Sequence, residues 1–455
     1  MQLKPKASRL RTKLIAASCT LLSATAARSQ TTMSDESSAF SGASDWVADS
    51  ALAYYHENNG RVQAIEPVVH ARKDFGDDNV LGLNFTFDSL SGSTPNGALP
   101  SRAPQTFASP SGTSLNPTPQ TYTTASGQVT TASAPIYTIA PGDLPMDPNY
   151  HDQRIAVAGT WQTPLTRLLH LSYGGGLSYE RDFISASING EIARDFNQKN
   201  TTLSLALNDE LDAVRPIGGA PAAGSDYALF EKNGDHGKNG VGLVLGATQV
   251  MNRHWLAQLN LSIDRFTGYL NDPYKIISVL DAQGNTTGYL YEKRPDSRTR
   301  KSLYLENHIG TERLTTTLTM RYMADNWHVH SETAELRLRW RNPDQDRYLE
   351  PTIRWYKQSA ADFFTPWVSN SGTQLLGYGS ADSRLNAFHA VTYGLKYAAD
   401  APAASDGTRD EFSVRVEYYQ QIVDNRFAVP ANLAGLDLYP GLKAILVQVG
   451  WRFGF

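Results

Sequence analysis

The clearest pattern in the chain is an alternation of apolar and polar residues with a period of two at its C-terminal end. The apolar positions are Ile445, Val447, Val449, Trp451, Phe453 and Phe455. The positions between them are mixed and largely polar, so one face is wholly apolar and the other is not. This alternation predicts a strand that has lipid on one side and water on the other.

The same alternation recurs along most of the chain. Its segments number about 16 and are about 10 residues long, as a tilted membrane-crossing strand requires. The predicted strands are 48–58, 61–73, 79–89, 151–163, 166–179, 183–195, 200–211, 240–251, 254–267, 298–310, 313–325, 329–341, 347–359, 383–398, 411–423 and 442–455. Charges are nearly absent from the apolar faces, where each would cost about 2–4 kcal/mol near the bilayer midplane. The pattern therefore predicts an all-β fold, a transmembrane antiparallel β-barrel of about 16 strands.

The connections between these segments sort into two classes. Those that follow even-numbered strands are mostly short, whereas most that follow odd-numbered strands are long. The long ones are about 90–150, 212–239, 268–297, 360–382 and 424–441. Short turns at one rim and long loops at the other are typical of outer-membrane barrels.

The connection at 90–150 has an unusual composition. It is rich in Ser, Thr, Pro, Gly and Ala and has almost no charge from Ala103 to Ala140. Such a segment is expected to bury no core and either to lack order or to fold inward. We expect no second domain, so residues 47–455 form the barrel and 90–150 is a long extracellular or inward-folding loop.

The N-terminal residues predict export. Five basic residues at positions 4–13, a short apolar stretch at 14–22 and the small residues Ala24-Thr25-Ala26 match a signal peptide over 1–27 that is cleaved. The alternatives are an uncleaved anchor and a lipoprotein modified at Cys19. Residues 28–46 are interpreted as a polar periplasmic lead-in. Together with the barrel pattern, this predicts the outer membrane of a Gram-negative bacterium.

Charge and cysteine content exclude several classes of function. Cys19 is the only cysteine, so the mature chain has neither a disulfide nor a cysteine metal site. The full chain carries 41 Lys+Arg and 45 Asp+Glu. Without the five signal cations 36 basic residues remain, a net charge of −9, which argues against a nucleic-acid partner.

The C-terminal aromatic residues also have an interpretation that concerns assembly of the barrel. Trp451, Phe453 and Phe455 resemble the C-terminal signal by which bacterial outer-membrane barrels are recognised during assembly. The barrel-assembly machinery is therefore an expected partner, beside outer-membrane lipid and lipopolysaccharide.

The strongest polar feature is a predicted lumen wall. Its residues are Arg321, Glu335, Arg337, Arg339, Glu350, Arg354, Arg415 and Glu417. With a turn centred near Asp344, Arg337 should lie opposite or diagonal to Glu350, and Thr333 level with both Arg321 and Arg354. These charges either brace the barrel interior or form a ring that selects solutes, in which case anions are favoured.

No motif for nucleotide binding, zinc binding or nucleophilic catalysis is found, so neither a cofactor nor an enzyme is predicted. A barrel hydrolase with scattered histidines remains the least favoured alternative. A dense basic cluster from Arg294 to Arg300 has two interpretations: contact with lipopolysaccharide phosphates, or a rim of charges at the membrane surface.

Several stretches resemble a family of Gram-negative outer-membrane barrel proteins that is known only as a domain of unknown function. They are Ile65-Glu66-Pro67-Val68-Val69, Arg72-Lys73-Asp74-Phe75-Gly76, Asp88-Ser89-Leu90-Ser91-Gly92, Pro95-Asn96-Gly97-Ala98, Ala193-Arg194-Asp195-Phe196-Asn197, Arg294-Pro295-Asp296-Ser297-Arg298, Arg321-Tyr322, Asp325-Asn326-Trp327, Arg354-Trp355-Tyr356 and Gln358-Ser359-Ala360-Ala361-Asp362-Phe363-Phe364. They span nearly the whole mature chain. The resemblance implies no assigned catalytic residue. Members are often encoded beside a thioredoxin-like protein, a small lipoprotein and an FMN transferase, which implies a link to an envelope redox or flavinylation system.

Three hypotheses for function follow. The first is a porin-like channel for small solutes that prefers anions. The second is a plugged barrel that conducts nothing and acts as a scaffold or partner for envelope redox proteins. The third is an outer-membrane enzyme. Many barrels of this width form oligomers, but the sequence names no interface.

Overall fold

The protein is described by a computed structural model. It describes residues 46–109, 120–123, 129–132, 136–216, 219–227, 234–342, 347–369, 374–400, 410–424 and 427–454. The predicted signal peptide at 1–27, the lead-in at 28–46 except Trp46, and Phe455 lie outside these residues.

The described residues are almost entirely β-structure. The strands are β1 (Trp46–Glu57), β2 (Gln63–Asp74), β3 (Val80–Ser91), β4 (Gln105–Ala108), β5 (Gln120–Thr123), β6 (Val129–Ala132), β7 (Ile136–Ile139), β8 (His151–Thr166), β9 (Leu169–Glu180), β10 (Phe183–Phe196), β11 (Thr201–Val214), β12 (His236–Asn252), β13 (Trp255–Gly268), β14 (Ile276–Leu280), β15 (Thr286–Tyr291), β16 (Ser297–Gly310), β17 (Leu314–Asp325), β18 (His330–Asn342), β19 (Arg347–Gln358), β20 (Trp367–Ser369), β21 (Phe388–Asp400), β22 (Glu411–Val423) and β23 (Leu442–Gly454). Short 3₁₀ helices lie at Asn197–Lys199, Ser383–Leu385 and Ala431–Leu433. Nowhere in the ranges given above is a helix long and apolar enough to cross a membrane.

Sixteen strands form a closed antiparallel barrel, as the alternation predicts. Their order is β1-β2-β3-β8-β9-β10-β11-β12-β13-β16-β17-β18-β19-β21-β22-β23, and β23 pairs with β1 to close it. Each strand pairs with its neighbours in the barrel sequence, so no crossover is needed. Closure removes the unpaired edges that an open sheet would present, which is a condition for β-structure in lipid.

The outer surface of the barrel is apolar. Leu177, Ile188, Leu207 and Leu245 expose between 50% and 68% of their surface. Because side chains alternate along a strand, the polar residues between them face the lumen. An apolar exterior around a polar interior is the arrangement of a membrane barrel and the reverse of a soluble one.

One strand begins later than its pattern predicts. The segment 383–398 was expected to be strand throughout, but β21 starts at Phe388 and Ser383–Leu385 is a 3₁₀ helix. The side chain of Asp382 accepts a hydrogen bond from the backbone N–H of Arg384 at 3.0 Å and caps this helix. Asp is favoured at such a position because its carboxylate satisfies an otherwise unpaired N–H group.

The long loops build a second core, which we call the loop cap. It comprises the described residues of 92–150, 215–235, 269–296, 359–387 and 424–441. Its central strand β14 is buried along its whole length and pairs with β15 on one side and β20 on the other. The buried cluster around Phe107 also contains Ala98, Tyr137, Tyr227, Ile276, Tyr289 and Tyr291. The expectation that 90–150 buries no core is therefore wrong for its described residues.

Each of the five long loops contributes to this core. Leu375 and Ala381 pack with Ile277 and Leu290 in a second cluster. The last loop contributes Leu433 and Leu438, which pack with Leu99 and Leu280 of two other loops. The loops form this core because they supply apolar residues to one another, although no single loop has enough to form a core.

The loop cap also contacts the three short turns at its own rim. The contacts are Arg61 with Pro440, Tyr274 with Asp182, and Trp327 with Phe363. These turns follow the first, fifth and eleventh of the sixteen barrel strands, so they lie on different sides of the opening. The loop cap is therefore attached to the rim on different sides of the opening.

Candidate functional site: a charged lumen wall

The structure places all eight predicted lumen residues on inward faces. On β17, Met320 and Tyr322 expose 47% and 45% of their surface on the outer face, so Arg321 between them points inward. The same parity applies on β18, β19 and β22, where apolar residues flank each charged position and several of them, such as Trp340, Ile353 and Val416, are exposed. The period of two therefore assigns the faces correctly for every member of the set.

Close to the short-turn rim the charges are paired. The Arg339 Nε atom lies 2.6 Å from Glu350 Oε2, and Arg415 lies 3.9 Å from Glu350 and 3.3 Å from Glu417. Further along β18, Arg337 Nε lies 3.1 Å from Glu335 Oε1. Glu350 is only 3% exposed, so these pairs form a packed network on the wall. This part of the wall braces adjacent strands.

The register agrees with one of the two predicted placements of Arg337 and differs for Thr333. Arg337 lies opposite Thr352 and therefore diagonal to Glu350, and Arg339 forms the ion pair with Glu350. Thr333 lies opposite Arg321 as predicted, but its partner on β19 is Tyr356 and not Arg354. A shift of two residues leaves every side chain on the same face, so the hydrophobic pattern alone cannot distinguish these registers.

Closer to the long-loop rim the lumen holds arginines without a counterion. Arg321 and Arg354 are exposed, and Arg321 donates one hydrogen bond to Ser302 Oγ at 3.3 Å. Within the described ranges, neither makes an ion pair. An exposed side chain on the inner face of a closed barrel must contact water in the lumen. The wall therefore carries free positive charge on this side.

The sequence did not place Arg298 and Arg300 in the lumen. Both lie on the inward face of β16: Arg298 is 2.5 Å from Asp325, and the Arg300 guanidinium stacks 4.5 Å from the Phe266 ring. Arg294 lies in the loop cap instead. The cluster from Arg294 to Arg300 thus points away from lipid, which removes the geometric basis for either surface interpretation. The alternation of apolar and polar residues along β16 would have predicted the inward position of both arginines.

The C-terminal strand closes the barrel. Trp451 is 43% exposed on the outer face and packs edge-to-face with Phe412 at 6.0 Å. Phe453 lies opposite Ala48 of β1. These positions agree with an outward aromatic row at the end of the last strand, and its role in assembly stays a prediction.

With the barrel and its lumen described, the sequence can be compared with known families. Residues 11–453 match the family described as "Protein of unknown function (DUF3570)". The chain belongs to the DUF3570 family. No curated protein matches the sequence.

Solved structures similar to this family member are outer-membrane proteins. OccK2 (OpdF) of Pseudomonas aeruginosa is 9% identical with a TM-score of 0.39, and the match covers 91% of this chain and 98% of that one. The outer-membrane protein opdK of the same organism is 10% identical with a TM-score of 0.36, covering 90% and 99%. The ferric enterobactin receptor PfeA of P. aeruginosa is 10% identical with a TM-score of 0.37, covering 83% of this chain. This chain spans only 54% of that receptor. Likenesses this remote identify no solute and no partner.

Above the lumen, a buried ionic network joins three loops of the loop cap. Asp382 accepts from Arg294 at 2.9 Å and from Arg384 at 2.5 Å, and Arg384 also reaches Asp272 at 2.5 Å. Glu292 lies 2.7 Å from Arg294. Lys275 lies in the same cluster and donates a hydrogen bond to Thr94 at 2.8 Å. The network therefore contains three carboxylates and three cations.

The network affects its two most buried acids in opposite ways. Burial would raise the pKa of Asp382, but the charges of Arg384, Lys275 and Arg294 outweigh it and hold that pKa well below its usual range. Burial raises the pKa of Glu292 from 4.5 to about 7, although Arg294 and a hydrogen bond from Ser380 Oγ at 2.5 Å oppose the rise. The loop cap therefore contains one acid that titrates near neutral pH.

This titration predicts a pH dependence of loop-cap stability. Between pH 4.5 and about 7 the Glu292 carboxyl stays protonated in the folded cap and ionises in the unfolded one. The unfolded cap then binds fewer protons, so its free energy of unfolding falls as pH rises through this window. At about 1.4 kcal/mol per pKa unit the loss is roughly 3 kcal/mol. Amide hydrogen exchange in β14, corrected for its intrinsic pH dependence, measures it.

The matched variant for this test is Glu292→Gln. Gln has a similar shape and does not titrate, so the decline between pH 5 and pH 8 should largely disappear. An equal decline in the variant and the wild type would contradict the assignment to Glu292.

One further group of carboxylates lies at the same rim. Oxygen atoms of Asp152, Glu180 and Asp182 come within 4.8 Å of one another, which is close enough to share a cation. Tyr274 of the loop cap donates a hydrogen bond to Asp182. The trio is half-buried and connects the rim to the cap.

Proposed function

We propose that the protein is an outer-membrane channel for small solutes that prefers anions. The observation that carries the proposal is the pair of exposed guanidinium groups of Arg321 and Arg354 inside a closed sixteen-stranded barrel. Barrels of 16 to 18 strands are wide enough to hold an aqueous channel. Free cations on the wall of such a channel attract anions and repel cations.

The two parts of the lumen wall support different roles. The paired charges around Glu350 hold adjacent strands together, whereas Arg321 and Arg354 remain available to solutes. The braced part keeps the wall rigid, so the free arginines hold fixed positions in the solute path. The apolar exterior supports a location in the outer membrane, with the long loops on the extracellular side.

A second candidate is a closed barrel that acts as a docking partner in the envelope. The loop cap favours it, because the cap contacts three separate turns around the mouth and has a core of its own. In that case the lumen water would not connect the two rims. Envelope redox proteins are the proposed partners of such a closed form.

Conductance of the refolded mature protein in a planar bilayer separates the two candidates. Discrete current steps from a barrel that shows heat-modifiable migration on a gel support the channel. Their absence from a correctly folded barrel overturns the channel and supports the closed form.

Ion selectivity then tests the role of the free arginines. The double variant Arg321→Ala, Arg354→Ala is expected to shift the reversal potential in a salt gradient toward cation preference, with a several-fold fall in the anion-to-cation permeability ratio. Arg253→Ala is the matched control, because it removes the same charge from an exposed turn between β12 and β13. An unchanged reversal potential in the double variant would exclude these residues as the selective element.

A further inference from the structure

We propose that the inner wall between β16 and β19 holds a saturable binding site for a small dianionic solute, with Arg300, Arg321 and Arg354 as its cations. The proposal deepens the proposed channel function and rests on it. The proposed function states only a preference for anions. The present proposal assigns a discrete binding site and a class of ligand.

The strand register places Arg321 and Arg354 at neighbouring levels of the wall, and Arg300 lies nearer the long-loop rim, opposite Asp325. Arg321 lies opposite Tyr304 of β16 and Thr333 of β18, and Thr333 lies opposite Tyr356 of β19. Arg354 is the next inward residue after Tyr356 on the same strand. Since neighbouring strands are about 4.8 Å apart, long arginine side chains from β17 and β19 can approach across β18.

Two observations place Arg321 at the centre of the patch. Its guanidinium donates to Ser302 Oγ at 3.3 Å, and Ser302 is the next inward residue after Arg300 on β16. On the other side, the register aligns Arg321 through Thr333 with Tyr356, the inward residue next to Arg354. Arg300 lies on the far side of it from Arg354.

The three guanidinium groups share a second property, which is that their charges are not neutralised by a paired carboxylate. No ion pair joins any of them to another described residue, whereas Arg298, Arg337 and Arg339 on the same wall each lie within 3.1 Å of a carboxylate. The Nε and Nη2 atoms of Arg300 are buried without a hydrogen-bond partner. Arginines that converge without counterions repel one another, and a bound anion relieves that repulsion.

The charge balance of the patch identifies the ligand class. Three guanidinium groups face one unpaired carboxylate, that of Asp264, which lies opposite Arg300 in the register. The nearby carboxylate of Glu335 is engaged by Arg337, and that of Glu306 accepts a hydrogen bond from Tyr304 and lies 2.5 Å from His308. The three guanidinium groups therefore outnumber the one carboxylate without a partner by two, which favours a dianion. Guanidinium forks bind carboxylate and phosphate oxygens in a bidentate manner, so the ligand carries one of these groups.

Equilibrium dialysis of the refolded full-length protein tests the site directly. The probes, used at pH 8, are succinate, which carries two separated carboxylates, inorganic phosphate, which is mostly a compact dianion at that pH, and acetate as the single-charge comparison. We expect saturable binding of succinate or phosphate and binding of acetate that is about tenfold weaker or more. The tighter of the two dianions distinguishes a dicarboxylate site from a phosphate site.

Variants separate the site from general attraction of anions. Arg321→Ala with Arg354→Ala should weaken dianion binding by about tenfold or more, since each removes charge-assisted hydrogen bonds. The double variant Arg321→Lys, Arg354→Lys retains both charges but cannot form bidentate hydrogen bonds. It should bind the dianion with intermediate affinity. Arg253→Ala should bind as the wild type does. Heat-modifiable migration confirms that each variant is folded.

Different results overturn the site and the channel. No saturable binding of either dianion, or equal binding by the alanine double variant, overturns the site, even if the barrel conducts and prefers anions. Saturable binding by a barrel that never conducts supports the site and overturns the channel.

Discussion

Replacing Asp382 with alanine is expected to destabilise the loop cap by about 3–5 kcal/mol while leaving the barrel folded. Asp382 is 2% exposed and accepts hydrogen bonds from Arg294 and Arg384. Removing one member of a buried charge pair leaves the other charge without its partner in a poorly solvated site. Most of the destabilisation should come from Arg294, which would stay buried without this partner. The Arg384 side chain is 46% exposed, so water can hydrate it.

Hydrogen exchange of the β14 amides measures this effect, since that strand lies at the centre of the loop cap. The control is Asp143→Ala, which removes an exposed aspartate from the same cap. Exchange in β14 should accelerate in the first variant and not in the second. Equal protection of β14 in Asp382→Ala and the wild type would show that the network does not hold the cap together.

The effect on conductance connects the loop cap to function. If the cap narrows the mouth of the barrel, the Asp382→Ala variant should show larger or more frequent current steps than the wild type. If solutes pass beside the cap, the variant should lose cap stability without a change in conductance. The three rim contacts at Arg61, Asp182 and Trp327 favour the first outcome, because they attach the cap around the opening.

The barrel could be predicted closely because lipid imposes a simple rule. Residues that face the bilayer core are mostly apolar, so parity assigns the inward residues, including Arg321 and Arg354. The pairing of Arg339 with Glu350 could not be predicted in the same way, since a shift of two residues preserves both faces. Fixing it would have required the geometry of the connection between β18 and β19.

The loop cap was missed for a different physical reason. Its central strand, Ile276-Ile277-Ser278-Val279-Leu280, is apolar except for Ser278, which is the pattern of a strand buried on both faces. A search for alternation passes over such a strand. The composition of 90–150 also did not indicate a buried core. A few apolar residues such as Leu99 and Phe107 are enough, because other loops supply the rest of that core.

Gly97 illustrates how closely these loops approach. Its φ of +99° is in the left-handed region, and a Cβ atom there would collide with the carbonyl oxygen of Ile276. The backbone of β14 is held there by a hydrogen bond from the N–H of Ile276 to Asn96 O at 2.8 Å. Contact of two backbones at this point requires glycine, which a pattern of apolar residues cannot reveal.

Phe107→Ala is expected to destabilise the loop cap by about 3–5 kcal/mol through loss of packing rather than loss of charge. Phe107 is 1% exposed, and its ring centroid lies 5.2 Å from that of Tyr289 and 5.6 Å from that of Tyr137. These rings come from two different loops, so the cavity left by the substitution lies between loops. Hydrogen exchange in β15 is the measurement, because that strand carries Tyr289.

Tyr378→Ala is the matched control for this substitution, since Tyr378 is an aromatic residue of the same cap that is 56% exposed. It should leave exchange in β15 unchanged, and unchanged exchange in Phe107→Ala would refute the assignment of Phe107 to the core. Comparison with Asp382→Ala then isolates the cause of any change in conductance. The two variants weaken the cap through unrelated interactions, so a rise in conductance common to both must follow from loosening the cap and not from altering a charge near the solute path.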